Sequence, residues 1–379
     1  MLISAPHPAA DRHALIAQAR QSLLSDGAAP VRAEVEPWIA RSWQRCLARG
    51  LEPTRRVAFD AVSATALRLS QEQNHHLLRA AGPVLQQLTR AIAGMRYFAM
   101  LTDAQGIVVD VQGHCDRNDP RASAIGRVGI DLSEAAVGTT AIGAALTELQ
   151  PVWLHRGEHF FDDNASYSCA GAPLFDPQGR CVGMLDLTGV DVPERPELRH
   201  LVARSARAME DALLLQLPHA LLLRLNWPGC TLGGDGDGLM ALDVEGYVVG
   251  ANSLARQLVP HPSLVPGSPT HCSDLLAMPW TMVFDAARQH SRQPLDLPLW
   301  SGLRLHALAI PSTHPRNPGA AHRLQIAGAT PAPAPLREAE VAMIRRAVRD
   351  ARGNVAEAAR TLGISRATVY RKLGTPKAE

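Results

Sequence analysis

The sequence predicts an α+β fold for the body of the chain and an all-α helix-turn-helix for its C-terminal end. In the body, short apolar runs alternate with polar, glycine-containing turns, first from Tyr97 and again from Leu239, which is typical of antiparallel β-hairpins. In residues 336–379 the apolar residues instead recur at the spacing of helices. A proline-rich stretch at residues 328–335 separates the two patterns and is expected to be a linker.

Length and composition restrict the class of protein. A chain of 379 residues exceeds one ordinary domain, so several domains are expected. No apolar run reaches the roughly 18 residues that a membrane span needs, and residues 1–10 lack the order of a signal peptide. We therefore expect a cytoplasmic protein without a membrane partner. The six cysteines are dispersed without a C-x-x-C pair, which favours reduced thiols and predicts neither a metal site nor a cofactor.

Charge is distributed unevenly along the chain. The net charge is +2, yet residues 336–379 hold ten Lys plus Arg against five Asp plus Glu. A basic terminal module suits phosphate binding, although a solvated helix face has the same bias.

Both lysines of the chain, Lys372 and Lys377, lie in this tail. A P-loop needs its lysine on the nucleotide phosphates, so a P-loop ATPase activity is excluded.

The body is divided by pattern into three regions. Residues 1–80 are predicted to be helical, since glycines are few there and apolar residues recur at helical spacing. Residues 81–217 are predicted to form a sensor domain with an antiparallel sheet, which begins with a hairpin around the turn Asp103-Ala-Gln-Gly. A helix is expected near residues 138–149, then strands at 151–154, 168–174 and 181–187, and a helix from 196 to 217.

A second, smaller α+β unit is predicted for residues 218–327. Its first strands lie at 239–243 and 247–252 on either side of a Val-Glu-Gly turn, and further strands are expected at 295–299, 303–310 and 322–326. Prolines and glycines interrupt these later strands, which weakens their regular pairing.

Three helices are predicted in the C-terminal tail. Gly353 and Asn354 end the first helix, and Gly363 makes the turn before the third. Ser365 is a good N-cap for that third helix. Val369 and Leu373 face the core and leave the other side free for a DNA groove.

The residue types of the third helix suit DNA. Arg366, at the helix start, can bond a guanine edge with both guanidinium branches, whereas Arg371 and Lys372 are placed for phosphates. The predicted DNA-contacting residues are Asn354, Ser365, Arg366, Thr368, Tyr370, Arg371 and Lys372. The alternative is a small helical bundle that packs on the body.

Residues 353–373 resemble the Fis-type helix-turn-helix, and the resemblance extends into the N-terminal half. The stretch from Trp38 to Pro53 is similar to the leader of acetoin-catabolism-type regulators. The segments Ala136-Val-Gly-Thr-Thr-Ala-Ile-Gly, Glu158-His-Phe and Gly183-Met-Leu-Asp-Leu-Thr-Gly are similar to their GAF sensor domain. The segment from Leu239 to Asn252 resembles the start of the PAS-like unit that follows it.

This resemblance implies a bacterial transcription regulator in which a GAF sensor controls a helix-turn-helix. Such regulators usually carry an AAA+ ATPase between these two parts, and here the linker at residues 328–335 takes that position. ATP-driven remodelling of polymerase is therefore not implied. The expected partners are double-stranded DNA with an inverted-repeat operator, a small-molecule effector, a second copy in a homodimer, and RNA polymerase.

The effector is expected to contact the segment from Pro151 to Gly171 and the start of the helix after Gly138. Aromatic walls with a few polar anchors are typical of small-molecule pockets. The candidate ligand-binding residues are Thr139, Trp153, His159, Phe160, Tyr167 and Cys169. The alternative is that the aromatic residues and the cysteine belong to the core, that His159 is a hydrogen-bonded loop residue, and that the hydroxyls of Thr139 and Thr140 cap the helix.

Two other functions compete with direct regulation. The first is a cysteine-dependent redox enzyme, or a redox or metal sensor, on the same scaffold, through Cys115, Cys169 or Cys181. No nucleophile–base motif supports it, so we expect no catalytic residue and no enzyme. The second is a modulator that forms mixed dimers with ATPase-bearing relatives.

Overall fold

The computed structural model describes residues 9–26, 35–260, 269–289 and 293–312, together with residue 355. By its contacts the chain divides into Met1–Pro318 and Gly319–Glu379, and the description below concerns the first unit. The predicted strand at 322–326, the linker, and all but residue 355 of the predicted helix-turn-helix lie outside the described residues.

In residues 9–26 and 35–96, four helices precede the first strand, which confirms the helical character predicted there. They are α1 (Ala9–Asp26), α2 (Pro37–Ala48), α3 (Ala64–Gln73) and α4 (His75–Ala91). Pro37 stands in the first turn of α2, where its missing N–H costs nothing. Ser63 caps α3 by accepting a hydrogen bond from the Ala66 N–H at 3.2 Å.

The first sheet has five antiparallel strands. These are β1 (Tyr97–Asp103), β2 (Val108–Gly113), β3 (Val152–His155), β4 (Tyr167–Phe175) and β5 (Cys181–Val190), in the order β2-β1-β5-β4-β3. The predicted hairpin and the three later strands are confirmed. The intervening helices are α5 (Pro120–Ile125), α6 (Glu134–Val137) and α7 (Ala141–Glu148), and α8 (Leu198–Leu215) follows the sheet.

Helices cover both faces of the first sheet. Along β5, Met184 and Val190 pack into one core with α1, α2 and α7, whereas Leu185 and Leu187 pack into the opposite core with α4 and α8. Successive strand residues point to opposite faces, so one strand serves both cores. Nearly every strand residue is therefore buried, and the polar residues among them stand out.

One turn chemistry occurs three times, at Asp103, Asp176 and Asp243. In each turn, Oδ1 of the aspartate accepts hydrogen bonds from the main-chain N–H groups two and four residues later, all at 2.9 Å. The glycine that follows three residues after each aspartate has a φ of 90°, 87° or 88°, a conformation that favours glycine. The turns predicted at Asp103-Ala-Gln-Gly and at Val-Glu-Gly before Tyr247 are confirmed.

Within the described residues, the second sheet also has five antiparallel strands. They are β6 (Leu221–Asn226), β7 (Gly238–Leu242), β8 (Val248–Ala251), β9 (Leu295–Pro298) and β10 (Arg304–Pro311), in the order β8-β7-β6-β10-β9. Helices α9 (Ser253–Leu258), α10 (Cys272–Leu275) and α11 (Thr281–Arg288) connect β8 to β9. The strands predicted near 239, 247, 295 and 303 are confirmed, whereas β6 had not been predicted.

The turn between β4 and β5 joins the first sheet to the second. The Pro177 carbonyl accepts a hydrogen bond from the Ala251 N–H at 2.8 Å, and the Gln178 side chain donates to the Val249 carbonyl at 3.2 Å. Beside them, Glu210 of α8 accepts hydrogen bonds from both the N–H and the hydroxyl of Ser253 at the start of α9. We call this contact region the junction.

Candidate functional site

A closed cavity lies within the first domain, on the side of the sheet that α7 covers. Its apolar wall consists of Phe59, Ile125, Leu132, Ala141 and Ile142. Its polar lining consists of Thr140, His159, Asn164, Tyr167, Cys169, Asp186 and Thr188. About 10 Å³ is open to the centre of a water molecule, which is room for roughly one water.

Strand alternation places Asp186 and Thr188 in this cavity. Both follow Met184 at intervals of two along β5 and so face the same side of the sheet as Met184 does. The Thr188 hydroxyl donates a short hydrogen bond to Oδ2 of Asp186, and it lies 3.3 Å from the Cys169 sulfur. Burial raises the pKa of Asp186 to about 7, because a charged carboxylate is poorly solvated there.

The connection between β3 and β4, residues 156–166, supplies His159 and Asn164 and is called the β3–β4 loop. It contains two short 3-10 turns, Arg156–Glu158 and Asp162–Asn164. Nδ1 of His159 lies 2.9 Å from the Arg156 carbonyl, which can only accept, so Nδ1 carries the proton. Burial lowers the pKa of His159 to about 4, so the ring is neutral and its Nε2 offers a lone pair.

Three buried polar atoms of the lining have no hydrogen-bond partner among the described residues. They are Nε2 of His159, Oδ1 of Asn164 and Oδ1 of Asp186. The amide nitrogen of Asn164 is bonded to the Val137 carbonyl at 3.2 Å, so only its oxygen is unpaired. Unpaired buried polar atoms are rare because each costs about 1–3 kcal/mol. Three in one cavity indicate a site for a polar molecule.

Similarity to known proteins assigns this region to a family. The sequence profile of the family described as "MimR, N-terminal domain" matches residues 13–211, more than half of the chain. The chain belongs to this family. Residues 335–374 match a second profile, "Bacterial regulatory protein, Fis family", which covers the predicted helix-turn-helix.

Relatives of this member of the MimR N-terminal domain family are transcription regulators by name. The acetoin catabolism regulatory protein of Cupriavidus necator is 32% identical over 58% of the chain and 34% of its own length. The acetoin dehydrogenase operon activator of Bacillus subtilis is 31% identical over 46% of the chain and 29% of its own length. The propane 2-monooxygenase operon activator of Mycolicibacterium goodii is 30% identical over 52% of the chain and 33% of its own length. The matches span about a third of the relatives' length.

In this MimR-family domain, three of the six predicted effector residues line the cavity: His159, Tyr167 and Cys169. The Tyr167 hydroxyl donates to the Arg121 carbonyl at 3.0 Å, so its ring forms the wall. The thiol of Cys169 is fully buried, and burial raises its pKa. A neutral thiol is a poor nucleophile.

The other three predicted residues lie elsewhere. Trp153 packs into the core on the opposite face of the sheet, beside α4 and α8. Phe160 packs edge-to-face on Phe161 at a ring distance of 5.1 Å. The Thr139 hydroxyl lies 2.7 Å from the Ser42 hydroxyl of α2, whereas the helix cap predicted here is made by Thr140, which accepts from the Gly143 N–H at 3.3 Å.

Sequence reasoning missed Asn164, Asp186 and Thr188. A signal was present for the last two, because Asp186-Leu-Thr188 places two polar residues at alternate positions of an otherwise apolar strand. Such a pattern in a strand buried on both faces indicates polar groups directed into one core. No comparable signal marks Asn164, since asparagine is common in loops.

Metal chemistry finds no support in the part of the chain that the structure describes. No group of three or more His, Cys, Asp or Glu side chains there could hold an ion. Cys115, one of the cysteines considered for such chemistry, bonds the Ala122 carbonyl at 3.5 Å.

None of the described helices has both the length and the apolar character of a membrane span. The seven predicted DNA-contacting residues lie outside the described residues.

Proposed function

We propose that this chain is a ligand-responsive transcription regulator. In this proposal the first domain binds a small effector, and residues 336–379 bind DNA through a Fis-type helix-turn-helix. One observation carries the sensory half: the three unpaired polar atoms around a closed cavity, within the segment that matches a family of regulators. The Fis-family match at residues 335–374 supports the DNA-binding half.

The effector that suits the cavity is a small neutral molecule with a hydroxyl group. Nε2 of His159 and Oδ1 of Asn164 accept hydrogen bonds, so they call for donors on the ligand. No Arg or Lys is among the lining residues, so a carboxylate ligand would be buried beside Asp186 without a counter-charge. Acetoin and short alcohols carry the hydroxyl group that these acceptors require, and acetoin appears in the names of two relatives. Each is larger than the single water for which the cavity has room, so its binding requires the cavity wall to move.

The finer assignments belong to the same proposal. Residues 81–217 are assigned as a GAF domain and residues 218–327 as a PAS-like domain, joined through the junction. A homodimer bound to an inverted repeat is expected because one recognition helix contacts only a few base pairs. RNA polymerase is the expected downstream partner, and the protein is expected to act in the cytoplasm.

Calorimetric titration of the full chain with acetoin, 2-propanol and glycerol tests the sensor. Asp186→Leu should abolish the heat of binding that the wild type gives with at least one of these compounds, because an apolar side chain cannot bond the ligand. Trp153→Phe, on the opposite face of the sheet, is the matched control, and it tests whether Trp153 contacts the effector as predicted. Equal binding by the wild type and Asp186→Leu would refute the cavity as the effector site.

DNA binding is tested by selecting sequences from random duplexes with the full chain and repeating the selection without residues 336–379. The full chain should enrich an inverted repeat, and the shortened chain should enrich nothing. Light scattering of the complex should give two copies per duplex. Enrichment by the shortened chain would contradict the assignment of the helix-turn-helix.

An enzyme is the second candidate, because Cys169 and His159 line one cavity. The relatives are named regulators, and the raised pKa of Cys169 disfavours the thiolate that such catalysis requires. Thiol-dependent turnover of a peroxide or sulfoxide that is lost in Cys169→Ser would establish the enzyme instead. Co-purification with an ATPase-bearing relative would favour the mixed-dimer alternative.

A further inference from the structure

The β3–β4 loop separates the closed cavity from an open groove. On its inner side the loop presents His159 and Asn164 to the cavity. On its outer side, Gly157, Asp162 and Ala165 form one wall of the groove, and α1 forms the other. The groove offers about 440 Å³ to the centre of a water molecule, against about 10 Å³ in the cavity. A ligand that fills the cavity must displace part of its wall.

Arg12 and Arg20 of α1 and Trp43 of α2 hold the loop from outside. Arg12 pairs with Glu158 at 2.6 Å, Trp43 Nε1 donates to the Glu158 carbonyl at 2.9 Å, and Arg20 makes the most contacts of the three.

Arg20 donates hydrogen bonds to the carbonyls of Gly157 at 2.9 Å and Phe160 at 2.8 Å, and a short one to the carbonyl of His159. It also pairs with Oδ1 of Asp162 at 2.8 Å. The planar guanidinium, with its fixed fork of donors, can serve several acceptors at once, which a lysine ammonium cannot do in the same geometry.

The other walls of the cavity are held differently. β4 and β5 are paired with each other and with β3 and β1 along their length, and α7 has its own helical hydrogen bonds. Opening any of these walls would break a ladder of main-chain bonds. The loop instead consists of short 3-10 turns, and Arg20 from a separate helix bonds the carbonyls of Gly157, His159 and Phe160. The loop, like the segments that carry Phe59 and Leu132, can therefore move without breaking such a ladder.

We propose that the β3–β4 loop is the gate of the cavity and that Arg20 is its latch, so that small molecules pass between the groove and the cavity when Arg20 releases the loop. The inference rests on the proposed function only in taking the cavity as the effector site. Arg20 acts through the loop as a positioning residue, since it holds the segment that directs His159 inward.

The reactivity of Cys169 measures the opening of the gate without any effector. Cys169 lines the cavity and is buried, so a thiol reagent reaches it only when the wall opens. The full chain is treated with methyl methanethiosulfonate, and mass spectrometry follows each cysteine separately. Cys46 is buried in α2 of the same domain and serves as the internal control for unfolding of that domain. Cys272, buried in the core of the second sheet, is the control for unfolding of the second domain.

We expect Arg20→Ala to raise the labelling rate of Cys169 at least tenfold and to leave those of Cys46 and Cys272 unchanged. Arg20→Lys should lie between Arg20→Ala and the wild type, because it keeps the pairing with Asp162 but loses the fork. A change in the Cys169 rate of less than twofold overturns the proposal. An equal rise at Cys169 and Cys46 also overturns it, because the substitution would then destabilise the first domain as a whole.

A second arm separates this proposal from the identity of the effector site. If Arg20→Ala exposes Cys169 but acetoin, 2-propanol and glycerol give no heat with the wild type, the gate stands and the proposed ligand class fails. If Phe59→Ala, on another side of the cavity, exposes Cys169 while Arg20→Ala does not, the entrance lies there and the latch is refuted.

Discussion

Replacement of Asp186 by asparagine should change how the stability of the first domain depends on pH. The carboxyl has a pKa of 3.8 in water and about 7 in the folded protein, because it is fully buried beside Thr188. The folded state therefore holds this proton more tightly than the unfolded state. The carboxyl contributes stability at low pH, and that contribution is lost as the pH rises through about 7.

The size of the effect follows from the two pKa values. Between them, each pH unit costs about 1.4 kcal/mol of unfolding free energy, since only the unfolded chain is ionised. From about pH 5 to about pH 7, the wild type should lose roughly 2 kcal/mol relative to Asp186→Asn, whose amide does not titrate. Glu210 and His159 titrate in both proteins, so their contributions cancel in the difference.

The assay is urea unfolding of the full chain at several pH values, with a pulse of hydrogen exchange to report the unfolded fraction of β4 and β5 alone. A local readout is needed because a protein with two sheets does not unfold in a single step. Parallel pH profiles for the two proteins would mean that Asp186 is already ionised at low pH in the folded state. The reasoning from burial would then be refuted.

Three further outcomes are expected. Gly250→Ala should destabilise the contacts of the junction by about 1–3 kcal/mol, because the new Cβ would lie 2.7 Å from the proline ring of the β4–β5 turn. Limited proteolysis should then cut the chain between the two sheets. Glu134→Gln should weaken the pairing with Arg45, 2.7 Å away, by about 1–3 kcal/mol and speed hydrogen exchange in α2. Arg366→Ala should lose about 1–3 kcal/mol on the selected duplex and little on random DNA, whereas Lys372→Ala should weaken both and lower the salt slope by about one contact, as binding isotherms at several salt concentrations would show.

Local turn chemistry is the part of the fold that the sequence predicted best. The turns at Asp103, Asp176 and Asp243 depend on contacts within five residues, so their residues alone specify them. The antiparallel hairpins that flank these turns were predicted from the turns and the apolar runs beside them. β6 was not predicted, because its leucine run has no alternation and no turn of this kind beside it.

The face on which a side chain lies was harder to predict. All four residues of β3 are buried, so no polar–apolar alternation shows which way Trp153 points. Its position on the face away from the cavity depends on strand pairing with β4, which is a long-range contact. His159 was predicted, yet its neighbours Asp186 and Asn164 come from segments distant in sequence or without a distinctive pattern.

The junction has a consequence for the engineering of chimeric sensors. In the last turn of α8, the helix that follows the first sheet, Leu214 packs against Leu222 and Leu239 of the second sheet. A fusion boundary after residue 217 would remove the second-sheet residues that pack against Leu214 and the serine that bonds the carboxyl of Glu210. A chimeric protein should therefore exchange both sheets together, through the end of β10, so that no fusion boundary crosses the core that they share.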